Sequence, residues 1–334
     1  MTTLYLRSRV VASRQVPLAV MVAGMSALAL VCAVGLLSDD RTVLGVSVWL
    51  EPLKFAVSFE LYGATLAWLL TLPHRGSRWT RAMATVFAVT GILDVGFIAV
   101  QAARGTFSHF NTSDDAVNTI GQYVFMTGVP GLFVANLVIA LILLFQRVGD
   151  RPLTRAIHAG LFLAVAGMAL GYLMGFQGRQ TTTDANGRVA ELAARHSVGV
   201  TDDNPGLPVT NWSTSGGDLR IPHFVGLHGL QVMLIGALVL SVLASRIPWL
   251  RSEGTRASLM AVLALAYAGL LAVLTWQAFR GQPLIHPDAL TLAPLGGLLA
   301  ATALAALGGL LAATALAVRA VRSRAEAGQQ AGPA

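Results

Sequence analysis

The residues of this chain best suited to chemistry are its histidines and a few charged groups set inside apolar runs. The densest set lies in Gly216–Gln231, Gly-Gly-Asp-Leu-Arg-Ile-Pro-His-Phe-Val-Gly-Leu-His-Gly-Leu-Gln, a polar turn that leads into an apolar run. Pro222 suits a first helical turn because it has no N–H to leave unpaired. His223 then falls at the membrane edge and His228 roughly 7.5 Å deeper at 1.5 Å rise per residue. Gln231 is one turn further down on the His228 side. Imidazole is the commonest metal ligand near neutral pH. His223 and His228, with His109 of Ser-His-Phe-Asn (108–111), are therefore the candidate metal ligands, and His228 and Gln231 the candidate cofactor-binding pair. The cofactor class expected is a transition metal or haem. His223 and His228 point about 140° apart on a straight helix, so they share one ion only if the helix begins after His223. A haem would need a second axial ligand such as Met174 or Met126.

A second group could carry protons. Glu51, Lys54, Ser58 and Tyr62 recur at helical spacing and form one polar stripe, with Glu60 elsewhere on the same helix. Lys54 is the only lysine; every other fixed cation is an arginine. Asp94 and Gln101 share a face of the following apolar run. Ionisable groups at such depths are costly unless they face protein or water, so they mark candidate sites. Glu51, Lys54 and Asp94 are the candidate catalytic residues, with Lys54 expected to pair with Glu51, Asp94 or Glu60.

These side chains sit in a chain of 334 residues that is 55% hydrophobic and 12% charged. Ordinary soluble domains carry about 25% charge. Apolar runs of twenty or so residues recur, which makes the expected fold an all-α integral membrane protein with a single transmembrane domain over residues 1–324. Eight spans are expected, at about 17–37, 52–72, 82–103, 123–146, 156–176, 223–245, 257–279 and 291–318. The net charge of +7 comes from arginines in short clusters between the runs. Arginines at 7–14, 75–81, 147–155, 246–256 and 319–324 fall on one face if there are eight spans, which makes both termini cytoplasmic. This is topology charge rather than a nucleic-acid surface, so the expected partners are the lipid bilayer and a small-molecule substrate or membrane redox partner, with no nucleic acid. The lone cysteine, Cys32, excludes an intrachain disulfide and a cysteine-based metal site.

The opposite face receives the connection 177–222, long enough to expect a functional lid. Its composition suggests a soft stretch from Gln180 to Asn186, a short helix from Arg188 to Arg195, and turns near 203–217. Ser113 or Asp114 is expected to cap a short surface helix. Gly167, Gly171 and Gly175 permit close helix approach. Residues 325–334 read as a disordered tail.

At Ser108–Asn111 and Gly217–His228 the chain resembles a group of bacterial integral membrane proteins to which no activity is attached. The resemblance implies a bacterial inner-membrane setting and nothing about the reaction. From the residues themselves, the reading preferred is a metal- or haem-binding, redox-type membrane protein. The alternatives are a proton- or ion-coupled transporter using Glu51, Lys54, Glu60 and Asp94, and an accessory or sensor protein presenting Trp212 and the 203–217 turns. The plainer reading of the histidines is hydrogen bonding to loop backbone, Asp218 or Arg220. That of Lys54 is a structural ion pair.

Overall fold

The structure, a computed structural model, describes residues 15–330, with side chains described through residue 309. Eight α-helices account for most of the described residues. They are α1 (Val16–Ser38), α2 (Leu50–Leu69), α3 (Ser77–Arg104), α4 (Ala116–Leu144), α5 (Arg151–Tyr172), α6 (Arg220–Leu243), α7 (Glu253–Phe279) and α8 (Ala289–Gln330). The expected apolar runs fall on these helices, with ends displaced by a few residues. Seven of the eight are long and apolar enough to cross a membrane. The eighth, α2, has 20 residues, roughly 30 Å at helical rise; Glu51, Lys54 and Glu60 lower its hydropathy. Seven such helices make the chain a multi-pass membrane protein. Helix α8 takes in residues 325–330 of the stretch read as a disordered tail, while 331–334 and the arginines at 7, 9 and 14 lie outside the described residues.

Local chemistry sets the helix ends. The Asp115 carboxylate accepts from the amides of Val117 and Asn118, so it caps α4 itself and the expected surface helix capped by Ser113 or Asp114 does not form. Asp150 and Ser252 cap α5 and α7 in the same way. Gly105, at φ 71°, ends α3 in the left-handed region.

Helices α1 to α4 and α5 to α7 form two packed groups. The main core joins Leu18, Met21, Leu66, Phe87, Ile139, Leu161 and Leu230. A second core joins Ala156, Leu163, Met233, Met260 and Leu271. The tightest pair is α5 with α6, where Gly167 and Gly226 meet backbone to backbone. Gly171 lies under the His223 ring, whereas Gly175 touches nothing and lies beyond the end of α5. Helices α2 and α6 approach more loosely and are bridged by side chains, Ser58 to His228 at 3.4 Å and Gln231 to Thr65 at 3.2 Å.

One end of the bundle carries a folded cap made of three two-stranded antiparallel ribbons. These are β1 (Thr42–Val43) with β2 (Val46–Ser47), β3 (Gln180–Thr183) with β4 (Val189–Leu192), and β5 (Ser197–Val198) with β6 (Gly217–Asp218). The stretch expected to be soft is therefore β3, and the helix expected over 188–195 is strand β4. A tight turn decides this. The Asp184 carboxylate accepts from the amides of Asn186 and Arg188, and Gly187 at φ 76° turns the chain back. The connections on the other end, around 70–76, 145–150 and 244–252, are short and arginine-rich.

Candidate functional site

The cap holds His109 above the membrane-spanning helices. The loop after α3 is pinned from below by Gln101, which donates to the Phe107 carbonyl and to Asn118, and by Asn118, which donates to the Asn111 carbonyl. It is pinned from above by β4, whose neighbour Ala193 donates to the Phe110 carbonyl. The His109 ring lies between Phe55 of α2 and Phe125 of α4, stacked at 5.5 and 4.9 Å between centroids. Its Nδ1 is 3.0 Å from Glu51 Oε1 and 2.8 Å from Ser108 Oγ, and Ser108 donates to Glu51 Oε2 at 3.1 Å. Glu51 keeps 42% of its side-chain surface open, so the pair lines an accessible space.

His196 is held by the same device. Its Nδ1 is 2.9 Å from Asp202 Oδ2. Asp202 also accepts from the backbone amides of His196 and Ser197. Burial acts to raise the Asp202 carboxyl, but the imidazole and amides hold it well below the usual carboxylate range. The β5–β6 pairing places this segment beside the start of α6, where Leu219 donates to the His196 carbonyl. The rings of His109 and His196 are 6.1 Å apart at 70°.

The other histidines take different partners. His223 donates Nδ1–H to the Gly167 carbonyl at 2.7 Å, across the α5–α6 contact. His228 rests on Phe224 at 4.3 Å and reaches Ser58. Gln231 bonds Thr65, and its Oε1 is buried without a partner among the described residues. Met174 is buried in a cluster with Leu219 and Ala278, whereas Met126 is exposed on the outside of the bundle. Among the described residues, no three or more His, Cys, Asp or Glu side chains are placed to hold one metal ion. His109, His223 and His228 are thus at one end of the bundle without converging as a ligand set. His109 faces His196 instead. His196 lies in the middle of the long connection and carries no local signal; its Asp202 partner follows six residues later.

Lys54 does not make the expected ion pair. Its Nζ donates to the Thr210 carbonyl at 2.9 Å, and no carboxylate lies within ion-pair distance among the described residues. Glu51, its expected partner, is taken by His109 and Ser108. Asp94 is 3% exposed, and neither carboxylate oxygen has a partner among the described residues. It packs against Gly128 of α4, where a Cβ would collide with the carboxylate. Glu60 makes no hydrogen bond among the described residues and is half-buried. Arg220 closes the start of α6 with a two-pronged pair to Asp218, at 2.9 Å from Nε and 2.6 Å from Nη2.

Fold and site together define a multi-pass helical membrane protein whose capped end gathers histidine and carboxylate side chains. No protein family matches the chain, and no curated protein or solved structure matches it.

Proposed function

We propose that the chain is an eight-span protein of the bacterial inner membrane, akin to the bacterial membrane proteins its histidine segments resemble. In this reading both termini are cytoplasmic, the capped face is the outer face, and that face binds a transition-metal ion in a redox-type role. Labelling single introduced cysteines from outside intact cells tests the orientation. The observation that carries the metal reading is the facing pair His109 and His196. Each imidazole has Nδ1 engaged by a carboxylate, Glu51 or Asp202. That leaves both Nε2 lone pairs for a ligand, the arrangement by which carboxylates orient metal-ligating histidines.

The spacing is compatible with a shared ion. At about 2.0–2.1 Å per metal–nitrogen bond, a ring centre sits roughly 3.2 Å from the metal, so two rings on one ion are at most about 6.5 Å apart. The rings here are 6.1 Å apart. His223, with Nδ1 held by Gly167, stays outside the pair. Glu51 and Asp202 orient the ligands, and substrate or water completes the site. Protein purified in detergent and loaded with Zn²⁺ or Cu²⁺ should carry about one ion per chain, and the double variant His109→Ala, His196→Ala should lose it. Unchanged metal content in the double variant refutes the site. The absorption spectrum of the same preparation tests for haem.

A second reading rests on a different observation, the partnerless Asp94 carboxyl inside α3. An isolated ionised carboxylate is costly at such depth, and intramembrane carboxyls of this kind mark proton relays. Such a residue takes up and releases a proton during coupled transport. Proton flux in proteoliposomes should fall at least about tenfold in Asp94→Asn. Flux equal to wild type removes this reading and leaves the metal site untouched.

A further inference from the structure

We infer that Lys54 and Arg220 form a binding site for a small oxyanion, a carboxylate or phosphate group, and that the 207–212 turn is a latch displaced when that anion binds. Both cations point at one peptide segment. Lys54 Nζ donates to the Thr210 carbonyl at 2.9 Å and Arg220 Nη2 to the Asn211 carbonyl at 2.5 Å. Consecutive Cα atoms are about 3.8 Å apart, so the two positive heads converge on a single short stretch of backbone. Asp218 neutralises Arg220. Lys54 has only a neutral carbonyl. Arg220 Nη1 has no hydrogen-bond partner among the described residues, and 23% of the side-chain surface is open. A carboxylate or phosphate bridging Lys54 Nζ and Arg220 Nη1 would make charge-assisted bonds, roughly twice as strong as those to a neutral carbonyl.

The turn that caps the cations is held under strain. Val209 is β-branched yet has φ 66°, at the centre of a three-residue turn closed by Thr210 N–H donating to the Pro208 carbonyl at 2.7 Å. Asn211 also has positive φ, 55°. Such conformations persist only where surrounding contacts enforce them. Here the enforcing contacts are Lys54 and Arg220 below, with the Leu207–Trp212 and Asn211–Leu207 backbone bonds around the turn. An anion that takes over the two cations removes the side-chain part of this enforcement and leaves the strained turn held by the backbone bonds alone.

A pocket lies on the other side of the turn. A pocket of about 720 Å³, lined by Thr181–Thr183, Asn204, Gly206 and Asn211 among others, opens on the cap. Asn211 lines this pocket while its carbonyl accepts from Arg220, so the turn stands between the pocket and the two cations. The inference is independent of the metal reading, since neither Lys54 nor Arg220 is a proposed ligand.

Hydrogen exchange on the full chain in neutral phosphatidylcholine nanodiscs tests it, with inorganic phosphate and succinate as probes and chloride at matched ionic strength as control. Amides of 207–212 should exchange about tenfold faster with phosphate or succinate and not with chloride. Lys54→Gln should exchange fast without any anion and not respond further. Lys54→Arg, which keeps the charge, should retain the response. A response to phosphatidylglycerol nanodiscs alone supports the site and assigns the oxyanion to a lipid headgroup. Exchange unchanged by both anions and by phosphatidylglycerol, an equal response to chloride, or a Lys54→Gln variant identical to wild type overturns the proposal.

Discussion

Asp94 can be partnerless because residue 128 has no side chain. A Cβ on Gly128 would sit against the Asp94 carboxylate, and both are enclosed between α3 and α4. Overpacking of this kind costs about 1–3 kcal/mol. Gly128→Ala should therefore lower the melting temperature in detergent. In Asp94→Ala, where the colliding oxygens are gone, the same substitution should cost much less. An equal penalty in both backgrounds would mean that Gly128 serves something other than room for Asp94. Little of this pairing is legible in the sequence. Depth alone marks Asp94 as unusual, but the glycine that accommodates it lies 34 positions away on the next helix. The partner of Lys54 was hidden for a similar reason. A backbone carbonyl 156 residues distant leaves no trace in side-chain pattern. The expectation of a carboxylate partner failed because Glu51, one turn away, is engaged by His109 and Ser108.

The helices themselves were readable because membrane spans need only length and apolarity, both local properties. The close-approach face of α5 was readable too, from small residues at four-residue spacing, but its partner α6 was not, and the working contact is Gly167 with Gly226 and not Gly175. Without a hydrophobic drive between helices in lipid, such close approach supplies the packing energy. Gly167→Leu should force the two helices apart and break the His223–Gly167 bond, destabilising the fold by at least about 2 kcal/mol. A Ser at the same position should cost less. Thermal unfolding of both variants checks this, and equal stability of Gly167→Leu and wild type would contradict the packing described. The cap was the unreadable part. Its strands are two to four residues long and find partners only through turns and long-range pairing, so the 188–195 segment looked helical from composition. The His196–Asp202 dyad belongs to this cap, and for that reason the sequence drew attention to His223 and His228 first.

At the scale of the molecule, the chain separates its polar chemistry by face. His109, His196, His223 and His228, with Glu51, Lys54, Asp202 and Arg220, lie at the capped end of the bundle. The short connections at the other end carry Arg75, Arg147, Arg246 and Arg251, and the helix starts beside them carry Arg78 and Arg151. His74 and His158, at that other end, are tied to backbone carbonyls of their own surroundings. The two helical groups share one buried core, and a cap of short ribbons lies across the histidine-bearing end. The proposed metal site rests on the pair of imidazoles at that end, 6.1 Å apart. The most direct measurement is X-ray absorption on the metal-loaded protein in detergent. The account predicts nitrogen ligands at about 2.0–2.1 Å with imidazole scattering from at least two histidines, reduced by one in His196→Ala. A spectrum without imidazole scattering, or one unaltered by that substitution, would contradict it.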